Sequence, residues 1–358
     1  MLIYVLIPFI IFFLGSFTRL NNKKRKLSFL VATFTCLFLI MALRKPTIGT
    51  DTSLYIDIFN DLRRYKFNSR FFGNKMMYLY SIYNIIVGFI FPFEQGIVIT
   101  NSLIICVLSG IFIYRICNKH IVSSTTFFVL LYCYFASFNI ARQYIAILLV
   151  ANAIYYLINK NVVKHPILKY LLILCSAFFV HNTAIVGLII LPLFFISKKD
   201  YLTYFVICFF VILFAVPIMP LIITKIFPDY SGYFEGTNQN EFVSRGRTAI
   251  LYLTNLFFVS LGTFLINKKK INNESKLIFL ICLFSSCMSL VFNTNILVSR
   301  IISYFNIFMV AALPYVCDAF RSKSKIAMSY ILFLIYFLPF VIQLKGHYGG
   351  IYSYEFFW

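Results

Sequence analysis

The chain has 358 residues, of which 61% are hydrophobic, 20% are aromatic and only 12% are charged. One soluble globule cannot bury that much apolar surface, so the composition excludes a soluble enzyme and predicts an integral membrane protein. The net charge of +21 would suggest nucleic-acid binding in a soluble chain. Here the Lys and Arg residues lie mainly in short links between apolar runs, so we predict a positive-inside bias and no nucleic-acid partner.

The first apolar segment, residues 1–18, lacks a basic leader and a small-residue cleavage site. We therefore expect a retained span rather than a cleaved signal peptide. The densest basic link follows at residues 19–26 and is assigned to the cytoplasm. The second span, about residues 27–43, then delivers residues 44–75 to the external face.

Residues 44–75 form the predicted catalytic loop. This external loop is nevertheless basic, which suggests an anionic ligand; its cations are Arg44, Lys45, Arg63, Arg64, Lys66, Arg70 and Lys75. An amphipathic helix in the membrane interface is predicted by the helical spacing of Leu54, Tyr55, Ile58, Phe59 and Leu62. Asp51 or Thr52 would cap that helix, so a plain N-cap role for Asp51 remains an alternative.

Two apolar segments follow, residues 76–91 and 97–116. Five later basic links are expected in the cytoplasm: residues 115–120, 159–166, 198–199, 268–276 and 321–325. All five can lie there only if one of these two segments does not cross the membrane. We favour residues 76–91 as re-entrant or interfacial, because that segment is short. The fold class is then all-α, a polytopic bundle of about twelve crossings plus re-entrant or interfacial helices.

This topology makes residues 1–345 a single integral membrane domain, with a second external loop at residues 224–248 and an external tail at residues 346–358. It also places most of the conspicuous polar residues on the external face. They are Asn139, Arg142 and Gln143 at one outer turn, His181 and Asn182 at the next, Arg245 and Arg247 in the long loop, and Arg300 near a helix end. Ionisable groups at membrane depth usually face a cavity or one another, although a single Arg can instead snorkel to the headgroups.

Several arginines at one face suit the binding of a diphosphate ester, because each guanidinium is a fixed cation with a fork matched to phosphate oxygens. A proton acceptor is also needed, and Asp51 and His181 are the external candidates. His181 as a hydrogen-bonded packing residue is an open alternative. We predict no metal or cofactor, since the sequence lacks a Walker loop, GxGxxG, HExxH and a DxD pair. The nine cysteines form no C-x-x-C pair and are predicted to be core residues.

In order and spacing, these residues resemble a known family. Arg44 with Gly49-Thr50-Asp51, Tyr55 and Phe59 resembles the R…G-x-D-x-x-x-Y-x-x-x-F signature of the EpsG family of polysaccharide-repeat polymerases, which is grouped with the Wzy polymerases.

Three later segments extend the resemblance. Arg142-Gln143-Tyr144-Ile145-Ala146 is similar to the family's R-Q-x-[IL]-A segment, and His181-Asn182-Thr183-Ala184 to its H-[NS]-[ST]-A turn. Ser299-Arg300 with Tyr304 is similar to a later Arg of the family. The resemblance covers roughly residues 1–310, and the tail beyond about residue 320 carries no signature.

The resemblance implies a membrane glycosyltransferase of the GT-C type in the bacterial inner membrane. Such an enzyme joins undecaprenyl-diphosphate-linked repeat units of O-antigen, part of lipopolysaccharide, or of capsule on the outer leaflet, with its active site facing the periplasm. Its transfer would be metal-independent and inverting. The implied partners are the lipid-linked donor and acceptor, membrane lipid, a chain-length regulator and a flippase.

Carried onto this sequence, the mechanism assigns proton abstraction to Asp51 or His181. The donor and acceptor diphosphates would be held by Arg142 and Arg300, together with Arg44, Arg245 or Arg247. Glycan or acceptor contacts are assigned to Tyr55, Gln143, Asn182 and Tyr304.

Four alternative functions make different demands on the sequence. An O-antigen ligase would use a similar donor and similar arginines, but would transfer to the lipid A core. A flippase would carry charges through the depth of the bundle and show matching halves. A membrane acyltransferase would need a His with a partner near mid-depth, and a scaffold would not explain charges at such costly positions.

Overall fold

The computed structural model describes residues 1–18, 20–65, 78–197, 245–268, 271, 275–291 and 296–358. Among these residues every regular element is a helix, and one isolated antiparallel bridge joins Arg44 to Phe356. The predicted all-α class is therefore confirmed. The predicted external loop at residues 224–248 lies almost wholly outside the described residues, as do Lys66, Arg70 and Lys75.

The helices of the described chain are α1 Leu2–Phe17, α2 Lys23–Ala42, α3 Thr52–Tyr65, α4 Tyr78–Ile90, α5 Gln95–Ile116, α6 Ile121–Leu130, α7 Cys133–Asn139, α8 Ala141–Ile158, α9 Pro166–Val180, α10 Ile190–Ile196, α11 Arg245–Asn267, α12 Lys276–Val291, α13 Ile296–Asn306, α14 Met309–Val316 and α15 Ser322–Lys345. Short 3₁₀ helices occupy Asn182–Ile189, Cys317–Ala319 and Tyr348–Gly350.

Two compact units divide the chain. The first comprises residues 1–185 and 330–358, and the second comprises residues 186–329. One integral membrane domain over residues 1–345 stays a prediction. The C-terminal residues return to the first unit, which also holds the predicted catalytic loop.

Four of the described helices, α2, α5, α8 and α15, are long and apolar enough to cross a membrane. The number rises to six if each of two bent pairs is one span: α6 with α7, bent by 48°, and α13 with α14, bent by 46°. The first bend coincides with Tyr132, whose φ of 63° is incompatible with a continuous helix. A membrane protein is supported, and a total of about twelve crossings is not confirmed.

One end of the first unit, here called the loop end, contains the predicted catalytic loop. The C-terminal end of α2 and the N-terminal end of α5 meet there, because Gln95 Nε2 donates to the carbonyl oxygens of Ala42 at 2.7 Å and Arg44 at 2.9 Å. The intervening residues therefore leave from and return to the same end. This geometry supports the prediction that the segment containing α4 does not cross.

The opposite end of the first unit, here called the basic end, gathers the basic links. Lys26 Nζ, at the start of α2, donates to the backbone oxygen of Asn118 at 2.8 Å and to its Oδ1 at 2.6 Å. Arg115, at the end of α5, lies over the ring of Tyr155 near the end of α8 at 5.3 Å. Links far apart in sequence thus meet at one end, as the positive-inside assignment requires.

Helix α3 covers the loop end with one apolar face. Ile56 and Phe59 are buried and belong to one core cluster with Val87 of α4 and Ile97 of α5. The predicted helix is confirmed, but its packing face is shifted, since Leu54 was placed on that face and is 55% exposed.

The second unit packs α11 against α12, and α12 against α13. Helices α11 and α12 approach closely at Gly262, where an added Cβ would lie 2.0 Å from the Phe279 ring. Phe284 of α12 meets Phe305 of α13 edge to face at 5.2 Å. Helix α13 carries Arg300 and Tyr304.

Candidate functional site

Arg44 is a buried cation at the start of the predicted catalytic loop. It is 3% exposed and its guanidinium lies over the Phe138 ring at 4.6 Å. Its nitrogens donate to the carbonyl oxygens of Met41, Ile48 (3.2 Å) and Phe138 (3.2 Å), and to Thr52 Oγ1 (3.4 Å). Burial lowers the pKa of Arg44 to about 10, so the group is still cationic at neutral pH. Its fork contacts protein oxygens, and direct binding of a diphosphate by Arg44 stays a prediction.

A glycine turn follows and explains part of the sequence signature. Gly49 has a φ of +95°, and an added Cβ would lie 2.9 Å from the carbonyl oxygen of Phe138. Only glycine combines that backbone conformation with so close an approach. Thr52 then opens α3 and donates to the Ile48 oxygen at 2.9 Å, so the loop is closed on itself.

Asn139, the last residue of α7, binds the loop next to the candidate base. Its Oδ1 accepts from the backbone N–H of Asp51 at 2.9 Å and from the hydroxyl of Thr50. The backbone oxygen of Asp51 accepts from the N–H of Tyr55 at 3.1 Å, so Asp51 occupies the N-cap position of α3. The N-cap alternative thus describes its backbone, while the carboxylate is partly exposed.

Arg142 lies on the other side of the same turn, since only Ile140 separates α7 from α8. Its guanidinium is over the Tyr80 ring at 5.6 Å, and the Tyr80 ring is 6.3 Å from that of Tyr55. Burial raises the pKa of the Tyr55 phenol; Tyr80 and Asp51 raise it further, and Arg142 opposes them. Asp51, Tyr55, Tyr80 and Arg142 therefore interact electrostatically as one group.

The Arg142 guanidinium has unused hydrogen-bonding capacity. Its Nε and Nη1 are buried and have no hydrogen-bond partner within the described part of the chain. A buried unpaired donor is costly, and a charged one more so. Two unpaired nitrogens of one buried cation can donate to two oxygens of an anionic group.

Tyr80 is held in place from α5. Its hydroxyl accepts from Asn101 Nδ2 at 3.2 Å, and Asn101 Oδ1 accepts from the hydroxyl of Tyr83 at 3.0 Å. Tyr80 is 2% exposed, so its ring is a fixed platform under Arg142. Sequence reasoning missed Tyr80, because it lies in an aromatic run that resembles an ordinary span.

The second predicted turn is confirmed as a helix break. Helix α9 ends at Val180 and the 3₁₀ helix begins at Asn182. His181 is 8% exposed, with Nδ1 2.7 Å from Thr183 Oγ1, a geometry that fits the packing alternative. Asn182 is half-buried and Gln143 is 3% exposed, and their predicted contacts with glycan stay predictions.

The remaining predicted residues belong to the second unit. Tyr304 is fully buried and Arg300 is half-buried on the same helix, and their assignments to glycan and diphosphate stay predictions. Arg245 and Arg247 lie in the first turn of α11, and their side chains are outside the described residues.

Residues 347–358, here called the C-terminal strap, lie against the catalytic loop. The backbone N–H of Gly49 donates to Gly350 O at 3.0 Å, and that of Lys45 donates to Glu355 O at 2.9 Å. Sequence reasoning treated this tail as carrying no signature. Its adjacent Gly349 and Gly350 were the available signal of a tight turn.

A model of the EpsG family matches residues 27–356 of the chain. The matched region runs from α2 to the strap and includes the loop, both turns and α13, so it extends beyond the resemblance seen in the sequence motifs. No curated protein and no solved structure matches the chain.

Proposed function

This chain belongs to the EpsG family, and from that membership and the geometry of the loop end we propose that it is a membrane glycosyltransferase that polymerises polysaccharide repeat units. The substrates are two oligosaccharides, each linked through a diphosphate to undecaprenol. The polymer is an O-antigen or a capsule.

The observation that carries the proposal is the pair of unpaired, buried nitrogens of Arg142. A diphosphate supplies several anionic oxygens to such donors, and a guanidinium fork can hold two of them at once. The Tyr80 ring lies under that fork, with its centroid 5.6 Å from the guanidinium carbon of Arg142. A site prepared in this way stabilises the negative charge that develops on a departing diphosphate.

We assign proton abstraction to Asp51 rather than to His181. The Asp51 carboxylate is partly exposed and interacts with Tyr55, which interacts with Arg142 in turn. His181 is buried and its Nδ1 lies against the Thr183 hydroxyl, so it is assigned to shaping the turn. Tyr55 stays a neutral phenol and serves as a hydrogen-bond donor to the acceptor sugar.

The reaction is a displacement at the anomeric carbon of the donor. The acceptor hydroxyl oxygen forms a bond to that carbon as its proton passes to the Asp51 carboxylate. The bond between the anomeric carbon and the diphosphate oxygen breaks, and undecaprenyl diphosphate leaves with the electron pair, beside Arg142. Attack opposite to the leaving group inverts the configuration.

The finer assignments complete the proposal. The loop end faces the periplasm, in the inner membrane of a bacterium, since the basic end carries the links expected in the cytoplasm. The whole chain forms a GT-C-like bundle of about twelve crossings. A flippase delivers the repeat units and a chain-length regulator acts on the product.

The test compares glycans from cells of the source bacterium with and without the gene, and with variants at equal membrane expression. Arg142→Gln is expected to reduce polymerisation by about 10²- to 10³-fold. The matched control is Arg115→Gln, because Arg115 also lies over a tyrosine ring, at 5.3 Å, but at the basic end. Control cells are expected to retain a full ladder of chain lengths.

Three outcomes decide the matter. Single repeat units attached to the core or carrier without the gene would support a polymerase. Complete loss of O-antigen from the core, with long chains still on the lipid carrier, would identify a ligase instead. Long chains from Arg142→Gln cells at normal expression would remove Arg142 from the site.

A further inference from the structure

The C-terminal strap pairs with the segment that carries the family signature. Thr50 N–H donates to Gly349 O at 3.3 Å, and Phe357 N–H donates to Leu43 O at 3.1 Å. With the bonds to Gly49 and Lys45 already described, four backbone hydrogen bonds join the strap to residues 43–50. This segment has no regular structure between α2 and α3, so the strap supplies much of its hydrogen bonding.

Side chains reinforce the pairing at both ends of the strap. Lys45 Nζ forms an ion pair with Glu355 Oε2 at 2.7 Å. The hydroxyl of Tyr132, at the bend between α6 and α7, donates to the backbone oxygen of Tyr348 at 2.8 Å. The strap is therefore anchored to the helix pair that also supplies Asn139 to the loop.

The strap fits the loop only because two of its residues are glycines. Gly349 and Gly350 have φ values of +68° and +70°. A Cβ on Gly350 would lie 2.9 Å from the backbone nitrogen of Thr50, so no larger residue fits there without displacing the loop. This close approach is one residue away from the candidate base Asp51.

We propose that the C-terminal strap is a positioning element of the active site: it holds residues 43–50 so that Asp51 faces the acceptor hydroxyl. The inference rests on the proposed polymerase function. Without the strap the amides of Lys45, Gly49 and Thr50 would bond to water, and the loop would adopt several conformations. Misplacement of a reacting group by about 1 Å can lower a rate about 10²-fold.

The first test uses two glycines that lie close together in sequence. Gly350→Ala is expected to push the strap off the loop, whereas Gly346→Ala is tolerated, since its Cβ would come no closer than 3.4 Å to a neighbour. Hydrogen exchange of the amides of residues 45–50 reports the contact directly. It should speed up in Gly350→Ala and stay unchanged in Gly346→Ala.

Turnover is measured in proteoliposomes supplied with lipid-linked repeat units extracted from cells that lack the gene. Gly350→Ala is expected to lower kcat by up to about 10²-fold and to leave KM unchanged, because Arg142 is untouched. A general loss of folding would instead reduce the amount of active protein, which ligand-independent melting and size-exclusion profiles detect.

The second test reverses the ion pair and does not depend on glycine. Lys45→Glu and Glu355→Lys should each lower kcat roughly two- to fivefold, and the double reversal should restore it. The pair Lys325 and Asp318, at 2.5 Å in the second unit, is the matched control. Its single reversals should leave kcat unchanged.

The exchange and turnover measurements distinguish failure of the strap proposal from failure of the proposed function. Faster exchange in Gly350→Ala with normal kcat would overturn the positioning role. Unchanged exchange would overturn the strap contact itself. If wild-type protein built no polymer from the extracted repeat units, the proposed function would fail, whereas the exchange result would still report on the contact.

Discussion

The two ends of the first unit hold the same pair of side chains in different surroundings. At the basic end Arg115 lies over Tyr155 and is exposed, so water hydrates its guanidinium. At the loop end Arg142 lies over Tyr80, with Nε and Nη1 buried and unpaired among the described residues. The two pairs therefore differ in the burial of the guanidinium and not in the arginine–aromatic contact, and the proposed anion site depends on that burial.

Arg44 adds a third case at the loop end itself. It lies over Phe138 at 4.6 Å and is 3% exposed. Protein oxygens accept hydrogen bonds from its nitrogens, whereas Nε and Nη1 of Arg142 have no partner among the described residues. The two arginines at this end therefore differ in hydrogen bonding, and the roles proposed for them differ accordingly.

The first prediction has the largest expected effect and tests which end of the first unit lies outside the cell membrane. Ser53→Cys on α3 and Val162→Cys in the link after α8 are both exposed positions, one at each end. A membrane-impermeant maleimide added to intact spheroplasts should label Ser53→Cys and not Val162→Cys. The opposite pattern would turn the proposed site toward the cytoplasm and away from its substrates.

Asp51→Asn tests the loop end next. This change keeps a side-chain oxygen at the N-cap and removes the negative charge, so the loop should fold while proton abstraction is lost. Turnover is expected to fall by about 10²- to 10⁴-fold. Asp57→Asn, on the exposed face of the same helix, is the control and should stay within roughly twofold. Equal effects of the two changes would contradict the assignment of the base.

Arg44→Gln distinguishes structural from ligand-binding arginines. Loss of the guanidinium removes the hydrogen bonds that Arg44 donates to the buried oxygens of Met41, Ile48 and Phe138, so the free energy of unfolding should fall by roughly 3 kcal/mol. Melting of the purified protein in detergent measures this loss. Arg142→Gln should change melting far less, and similar losses in both variants would remove the distinction.

Tyr80→Phe has the smallest expected effect, and it refines the comparison of the arginine–tyrosine pairs at the two ends. The ring under Arg142 remains, but Asn101 loses its acceptor, so we expect a loss of about 1 kcal/mol, or roughly fivefold in turnover. Tyr155→Phe is the matched change at the basic end and should have no effect on turnover. A loss as large as that of Arg142→Gln would show that the hydroxyl itself contacts substrate.

Several features were determined by the sequence alone. Composition specified a membrane protein built from helices, and the basic links at residues 19–26, 115–120 and 159–166 specified which segments share an end. Helical spacing predicted α3. Counting the spans between basic links on the same side of the membrane predicted a non-crossing segment before α5. Each of these conclusions uses hydropathy, charge or period, which are local properties that can be summed along the chain.

Only the tertiary structure decided what the individual site residues do. The motif around Arg44 was visible, but its burial depends on carbonyl oxygens that α7 brings from Phe138, 94 residues away. The strap reaches Lys45 from Glu355, 310 residues away, and the unpaired state of Arg142 depends on α4 and α8 meeting. A hydrogen-bond donor is occupied or free according to which distant segments pack around it, and local sequence does not encode that outcome.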